Sequence, residues 1–287
     1  MRSRWLLNLG LLALVMLLVV VVLYEDGADN AQPNAPLTTL DTEKINSIRI
    51  QKENNDQLRL ERNKDGWFLV APLRARADRL RVQSLLRLAI ASSELRRPAT
   101  SDNIGKYGLD KPKARVWFDN EEIQLGTHHP FKKARYVLYN GELHLVRALD
   151  FDPASQRHTD LISHRLFAEG RRPVTFELPE LTLRRTDGKW QMRPANDDIT
   201  PDRINQLADE WRFARALAVE RYGGQDVRGW IRVTLKDVSG GEKNDQQLVE
   251  LGILSDDPGF VLYRKDEGLT YRFTEHTGKR LMNIKSE

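Results

Sequence analysis

The sequence predicts an α+β protein: an N-terminal transmembrane helix, then two tandem, similar modules of mostly antiparallel sheet, each with one packed amphipathic helix. Three observations carry this. Trp5 to Tyr24 is apolar throughout. The rest of the chain contains the same features twice, in the same order. Within each copy apolar residues alternate with period two, except in one segment where the period lengthens to that of a helix.

The N-terminal run reads WLLNLGLLALVMLLVVVVLY, 20 residues without a charge. At about 1.5 Å per residue it is about 30 Å long, enough to cross the hydrocarbon core of a bilayer. It is apolar on every face, which does not suit a surface helix of a soluble domain. Arg2 and Arg4 precede it, and Glu25, Asp26 and Asp29 follow. Positive charge stays on the cytoplasmic side, so the amino terminus is expected inside and the remainder across the membrane. Trp5 and Tyr24 bracket the span, where amphipathic rings favour the headgroup zone. The competing reading, a cleaved signal peptide, calls for a shorter apolar core and a small-x-small cleavage site. Leu23-Tyr24-Glu25-Asp26 offers none, and Ala28 and Ala31 lie far from the end of the core. Residues 1–24 therefore read as a cytoplasmic tip and membrane span. Residues 25–39 read as a tether, with GADNAQPNAP at 27–36 small, polar and punctuated by proline.

The first module, residues 40–151, and the second, residues 172–287, are expected to share one plan. Each has a hairpin in which a turn containing Asp-Gly leads to a tryptophan: Leu58–Leu69 with Trp67, and Leu181–Met192 with Trp190. A helix follows. Asp78 caps the first, with Val82, Leu85, Leu86, Ala89 and Ile90 on one stripe. Thr200 caps the second, Pro201 takes its first position, and Ile204, Leu207, Ala208, Trp211 and Ala218 form its stripe. Then Tyr107-Gly108 matches Tyr222-Gly223, Ala114–Phe118 matches Trp230–Leu235, and Leu125-Gly126 matches Leu251-Gly252. Tyr136–Tyr139 is set beside Phe260–Tyr263, and Glu142–Val146 beside Leu269–Phe273. Asn140-Gly141 is a two-residue hairpin turn, Asp266-Glu267-Gly268 a longer one. The offset is about 115–126 residues throughout, its drift coming from loop lengths. The connection, residues 152–171, contains His158–Phe167 as a candidate short helix, and its brevity implies that the modules pack together.

The formal charge is +4, of which Arg2 and Arg4 supply two, and both signs are interspersed in the rest. That is a solvated surface and not a nucleic-acid footprint. Without cysteine the chain has no disulfide and no thiolate chemistry. His128-His129 is the one adjacent histidine pair, but it lacks metal-ligand spacing and the second module does not repeat it. His158, Asp160, Ser163 and His164 hold hydrolase residue types without a nucleophile elbow. Asp197-Asp198 reads as helix-start acidity, and Ser239–Lys243 as a turn without phosphate-loop spacing. Arg74, Arg76, Arg79, Arg81, Arg87, Arg96, Arg97 and Arg115 read as a solvated basic face, the alternative being contact with anionic lipid or an acidic partner. Trp67, Trp117, Trp190, Trp211 and Trp230 read as core. No catalytic, cofactor-binding or metal-binding residue is assigned, and no cofactor is expected.

The Asp-Gly-Trp hairpin, the Ala77-Asp78 helix start, Lys106-Tyr107-Gly108-Leu109-Asp110-Lys111-Pro112, and Leu125-Gly126 followed by Tyr136-Val137 resemble the bacterial domain of unknown function DUF4340. The resemblance covers the first module. The second keeps Tyr222-Gly223 but has Gly224-Gln225-Asp226 where Leu-Asp-x-Pro belongs, so it is read as a divergent copy. The resemblance implies a membrane-anchored protein of the bacterial envelope, some relatives of which accompany transporter auxiliary subunits. It transfers no catalytic residue. The expectation is a non-catalytic, single-pass inner-membrane protein, held by the bilayer through Trp5–Tyr24. Its modules face the periplasm and bind an envelope protein, as an accessory subunit of a transporter or assembly complex. The alternative is an enzyme or receptor acting on an envelope glycan or lipid, with a site between the modules.

Overall fold

The computed structural model describes residues 15–16, 35–147, 152–238, 245–256 and 259–282. Apart from Val15 and Met16, the Trp5–Tyr24 run lies outside the described residues, as do residues 25–34 of the tether and the Ser239–Lys243 turn. Among the described residues no helix is long and apolar enough to cross a membrane.

Alternation of apolar and charged residues produces two sheets. The first contains Ser47–Lys52 (β1), Gln57–Asn63 (β2), Gly66–Ala71 (β3), Ala75–Arg76 (β4), Ser93–Pro98 (β5), Ala114–Phe118 (β6), Glu121–His128 (β7), Ala134–Tyr139 (β8) and Glu142–Arg147 (β9). Its order is β4-β3-β2-β1-β6-β7-β8-β9-β5. The second contains Arg171–Glu177 (β10), Thr182–Thr186 (β11), Lys189–Arg193 (β12), Ala218–Arg221 (β13), Gly229–Asp237 (β14), Gln246–Ser255 (β15), Phe260–Arg264 (β16) and Leu269–Phe273 (β17). Its order is β12-β11-β10-β14-β15-β16-β17-β13. Setting β4 aside, the two orders are the same, and neighbouring strands run antiparallel in both. In β1, Ile48 and Ile50 are fully buried, and in β14 so are Ile231, Val233 and Leu235, with residues of the other parity turned outward. That is the period-two signature of a one-sided sheet.

Arg79–Ala89 (α1) starts where Asp78 accepts from the Leu80 and Arg81 amides, and it buries Val82, Leu85, Leu88 and Ala89. Pro201–Arg212 (α3) starts at Thr200, whose hydroxyl accepts from the Arg203 amide, and it buries Ile204, Leu207, Ala208 and Trp211. Ala218 does not belong to that stripe. The helix stops at Arg212, and Ala218 opens β13. Two further helices, Ser101–Lys106 (α2) and Glu275–Met282 (α4), and the edge strands β5 and β13 add to the expected plan. The Trp211 indole donates to the Leu281 carbonyl at 2.8 Å, fastening α4 over α3.

Pairing also corrects one sequence match. Leu125 faces Val137, and its counterpart Leu251 faces Arg264, so the residues just before these, Tyr136 and Tyr263, fall at the same place. Tyr136 therefore corresponds to Tyr263 and not to Phe260. The rings agree: Tyr107 lies on Tyr136 at 4.0 Å, and Tyr222 on Tyr263 at 3.8 Å. The core expectation for tryptophan holds fully for Trp211, which has no exposed surface. Trp67, Trp117 and Trp190 are half-buried. Trp117 lies under the Arg49 guanidinium, and Trp230 is exposed with Lys265 above it.

Candidate functional site

The connection between the sheets is where the chain brings its most unusual chemistry together. Only His158–Leu161 is helical there, as one 3₁₀ turn. Beyond it the chain is extended and pairs both ways, Ile162 with Ala77 and Arg165 with Arg215. Leu161, Ile162, Leu166 and Phe167 are at most 3% exposed. Apolar side chains therefore fill the junction, and one continuous hydrophobic cluster includes residues of both sheets.

A buried polar network crosses this apolar seam. Arg76, on the short strand β4, donates from Nε to Glu267 at 2.6 Å and from one terminal nitrogen to the Arg165 carbonyl at 2.7 Å and the Tyr271 hydroxyl at 3.1 Å. Arg264 grips Asp266 through Nε and a terminal nitrogen, both at 2.9 Å, and donates to the Leu166 carbonyl at 2.6 Å. It also reaches Glu267 at 3.1 Å. The Tyr271 hydroxyl donates to Glu267. Burial opposes the charge on Arg76, but Tyr271 and Glu267 outweigh it and hold the guanidinium protonated beyond its ordinary range. Burial likewise pushes the Tyr271 phenol upward, with Glu267 adding to the shift. Arg76 and Tyr271 are thus held in the protonated states that donate their hydrogen bonds. This is a brace, since an acid–base catalyst needs a group poised to exchange protons near working pH. Arg76 is accordingly not part of a solvated basic face. The signal that sets it apart, a partner 191 residues away in a turn, has no local signature.

Beside the brace runs a groove of about 910 Å³ between α1 and the connection, lined by Trp67, Leu80, Leu86, Arg79, Arg87 and Arg215 among others. Arg79 pairs with Glu169 at 3.2 Å, and Arg215 lies 3.7 Å from Asp78. Of the hydrolase-type candidates Ser163 lines the groove, and His158, Asp160 and His164 do not. Asp160 closes the 3₁₀ turn on the Arg157 amide, the His164 ring bonds the Ala216 carbonyl at 3.0 Å, and the Ser163 amide donates to Arg76. Asp197 and Asp198 are exposed ahead of α3. Among the described residues no group of three or more His, Asp or Glu is placed to hold a metal ion.

His128 and His129 sit elsewhere, at the β7–β8 end of the first sheet. His128 ends β7 and lines a second hollow of about 680 Å³ with Lys52, Lys113 and Arg135. His129 Nδ1 accepts from the Phe131 and Lys132 amides, each at 3.1 Å. A nitrogen used in this way is not free to bind a metal.

No curated protein and no solved structure matches the chain. A family profile does match, over residues 67–240, and its reach runs from the hairpin at β3 through the connection to just past β14. The matched stretch covers more than half of the 287 residues, and the chain belongs to the family described as a domain of unknown function, DUF4340.

Proposed function

We propose that the chain is a non-catalytic, membrane-anchored interaction protein. Trp5–Tyr24 crosses the bacterial inner membrane once, with the amino terminus in the cytoplasm, and the two fused sheet units stand in the periplasm. There they bind an envelope protein as an accessory part of a transporter or assembly complex. The observation that carries this reading is the brace. Arg76, Arg264, Glu267 and Tyr271 spend their polar atoms on one another and on backbone carbonyls of the connection, so the place where two units most often share a reactive cleft serves to hold them together. The uncharged 20-residue run and the polar segment after it support the anchorage.

The groove beside α1 supports the second reading, a receptor for an envelope glycan or lipid, since arginine and an aromatic ring are suited to anionic sugars and headgroups. One experiment separates the two. A photo-crosslinking residue replaces Gln83 or Arg87 on the groove, and the full chain is irradiated in intact membranes. Adducts with a defined envelope protein are expected. Adducts confined to lipid or glycan, with no protein partner, would transfer the function to the second reading.

A further inference from the structure

Phe131 is 93% exposed at the tip of the β7–β8 loop, flanked by Lys132 and Lys133, both also exposed. A phenylalanine left so far in water gains nothing for the fold. The loop is nevertheless held in place. His129 Nδ1 accepts the amides of Phe131 and Lys132, and the His129 amide donates to the Ala134 carbonyl at 2.8 Å. The rings continue the support inward: His129 lies 6.3 Å from Phe131 and 5.8 Å from Tyr136, which stacks on Tyr107. The sequence-distinct Tyr107-Gly108 turn thus buttresses a presented aromatic tip.

The tip lies at the end of the sheet where the tether joins the folded body. The Ser93 amide donates to the Ala35 carbonyl at 2.9 Å, and Pro36 pairs with Ser92. Ser93 faces Val146 across β5 and β9, and Val146 faces Arg135 across β9 and β8. Two strand spacings of about 4.8 Å put the start of β8 about 10 Å from the tether's attachment. Lys132 reaches back to Glu94 at 3.3 Å, closing that distance. Only ten residues, 25–34, separate Tyr24 from Ala35. Fully extended they span at most about 36 Å.

From this we propose that the Phe131 loop is a second membrane contact: Phe131 enters the headgroup–acyl boundary of the bilayer that holds the anchor, and Lys132 and Lys133 meet lipid phosphates. The proposal rests on the anchored reading above. An aromatic ring with flanking lysines suits that boundary, where apolar side chains bury and cations meet anionic headgroups. The short tether supplies a high local concentration of bilayer, so a contact too weak to recruit a free protein is populated in an anchored one. The contact would fix which face of the two-sheet body looks away from the membrane.

The chain has no cysteine, so one can be introduced alone. Pro130→Cys, exposed beside Phe131 and outside the proposed lipid contacts, is labelled in the full chain with an environment-sensitive dye and reconstituted into vesicles of phosphatidylethanolamine and phosphatidylglycerol. Leu248→Cys, an exposed position of β15 in the second sheet, serves as the reference. The expected result is a blue-shifted label at 130, quenched severalfold less by aqueous iodide than the label at 248. Phe131→Ser in the Pro130→Cys background should abolish that protection without lowering Tm, because the exposed ring leaves no cavity. Equal iodide access at 130 and 248 in vesicle-bound protein, or protection that survives Phe131→Ser, overturns the contact and leaves the anchor standing. A full chain that does not float with the vesicles overturns the anchor itself.

Discussion

The Arg76 side chain keeps only 13% of its surface exposed and Glu267 only 12%, so both charges have given up most of their water. Removing one member of such a pair strands the other, at a cost of about 3–5 kcal/mol. Glu267 would keep Arg264 at 3.1 Å, which places Arg76→Met at the lower end, about 3 kcal/mol. For a body of this size that lowers Tm by roughly 6–12 °C. Adding Glu267→Gln should recover part of the loss, since the second change removes the stranded charge. Thermal melts of the two single variants and the double would test this. A Tm for Arg76→Met within a degree or so of the parent, well inside that expected shift, would mean the network is not what holds the sheets together. None of this was legible at Arg76 itself. Among eight neighbouring arginines its sequence context is unremarkable, and its acceptors are a turn carboxylate and carbonyls of a segment expected to be helical.

Elements declared themselves where local chemistry decides them. Asp78 and Thr200 cap because a short polar side chain can take an orphan amide, and Asn140-Gly141 turns because both residues adopt positive φ, 53° and 79°. The edge strands β5 and β13 hid because an edge need bury little: Ser93–Pro98 reads SELRRP, mostly charged and ending in proline. The three-residue slip between Tyr136 and Phe260 arose because apolar runs look alike until a partner strand fixes the register. One glycine records that partnership. A Cβ on Gly126 would stand 2.3 Å from the Tyr107 carbonyl, and that carbonyl already accepts the Thr127 amide at 2.9 Å. Backbone cannot step aside as a side chain tip can, so Gly126→Ala should cost about 1–3 kcal/mol and loosen the Tyr107–Tyr136 stack. Gly105, inside α2, has open space around it, and Gly105→Ala should stabilise by about 0.5–1 kcal/mol. Urea midpoints that move in the same direction for both would refute this account of the two sites.

Two sheets of like order in one chain could unfold as two bodies, and that is the default where an interface is small and polar. Here the connection argues otherwise. It is paired to the first unit through Ala77 and to the second through Arg215, while its apolar residues sit in a cluster that includes both sheets. The Leu166 carbonyl accepts from Arg76 of one unit and Arg264 of the other, at 3.2 and 2.6 Å. Loss of either sheet would expose Leu161, Ile162, Leu166 and Phe167 together and leave two buried guanidinium groups short of acceptors. A state with one half folded therefore keeps the cost of the seam without its contacts. The full chain in detergent micelles should melt in one transition, its calorimetric enthalpy equal to the van't Hoff value. Arg76→Met should shift that transition downward as a whole. Two resolved transitions in the parent protein, each accounting for about half the enthalpy, would show that the connection is a hinge and that the brace does not couple the sheets.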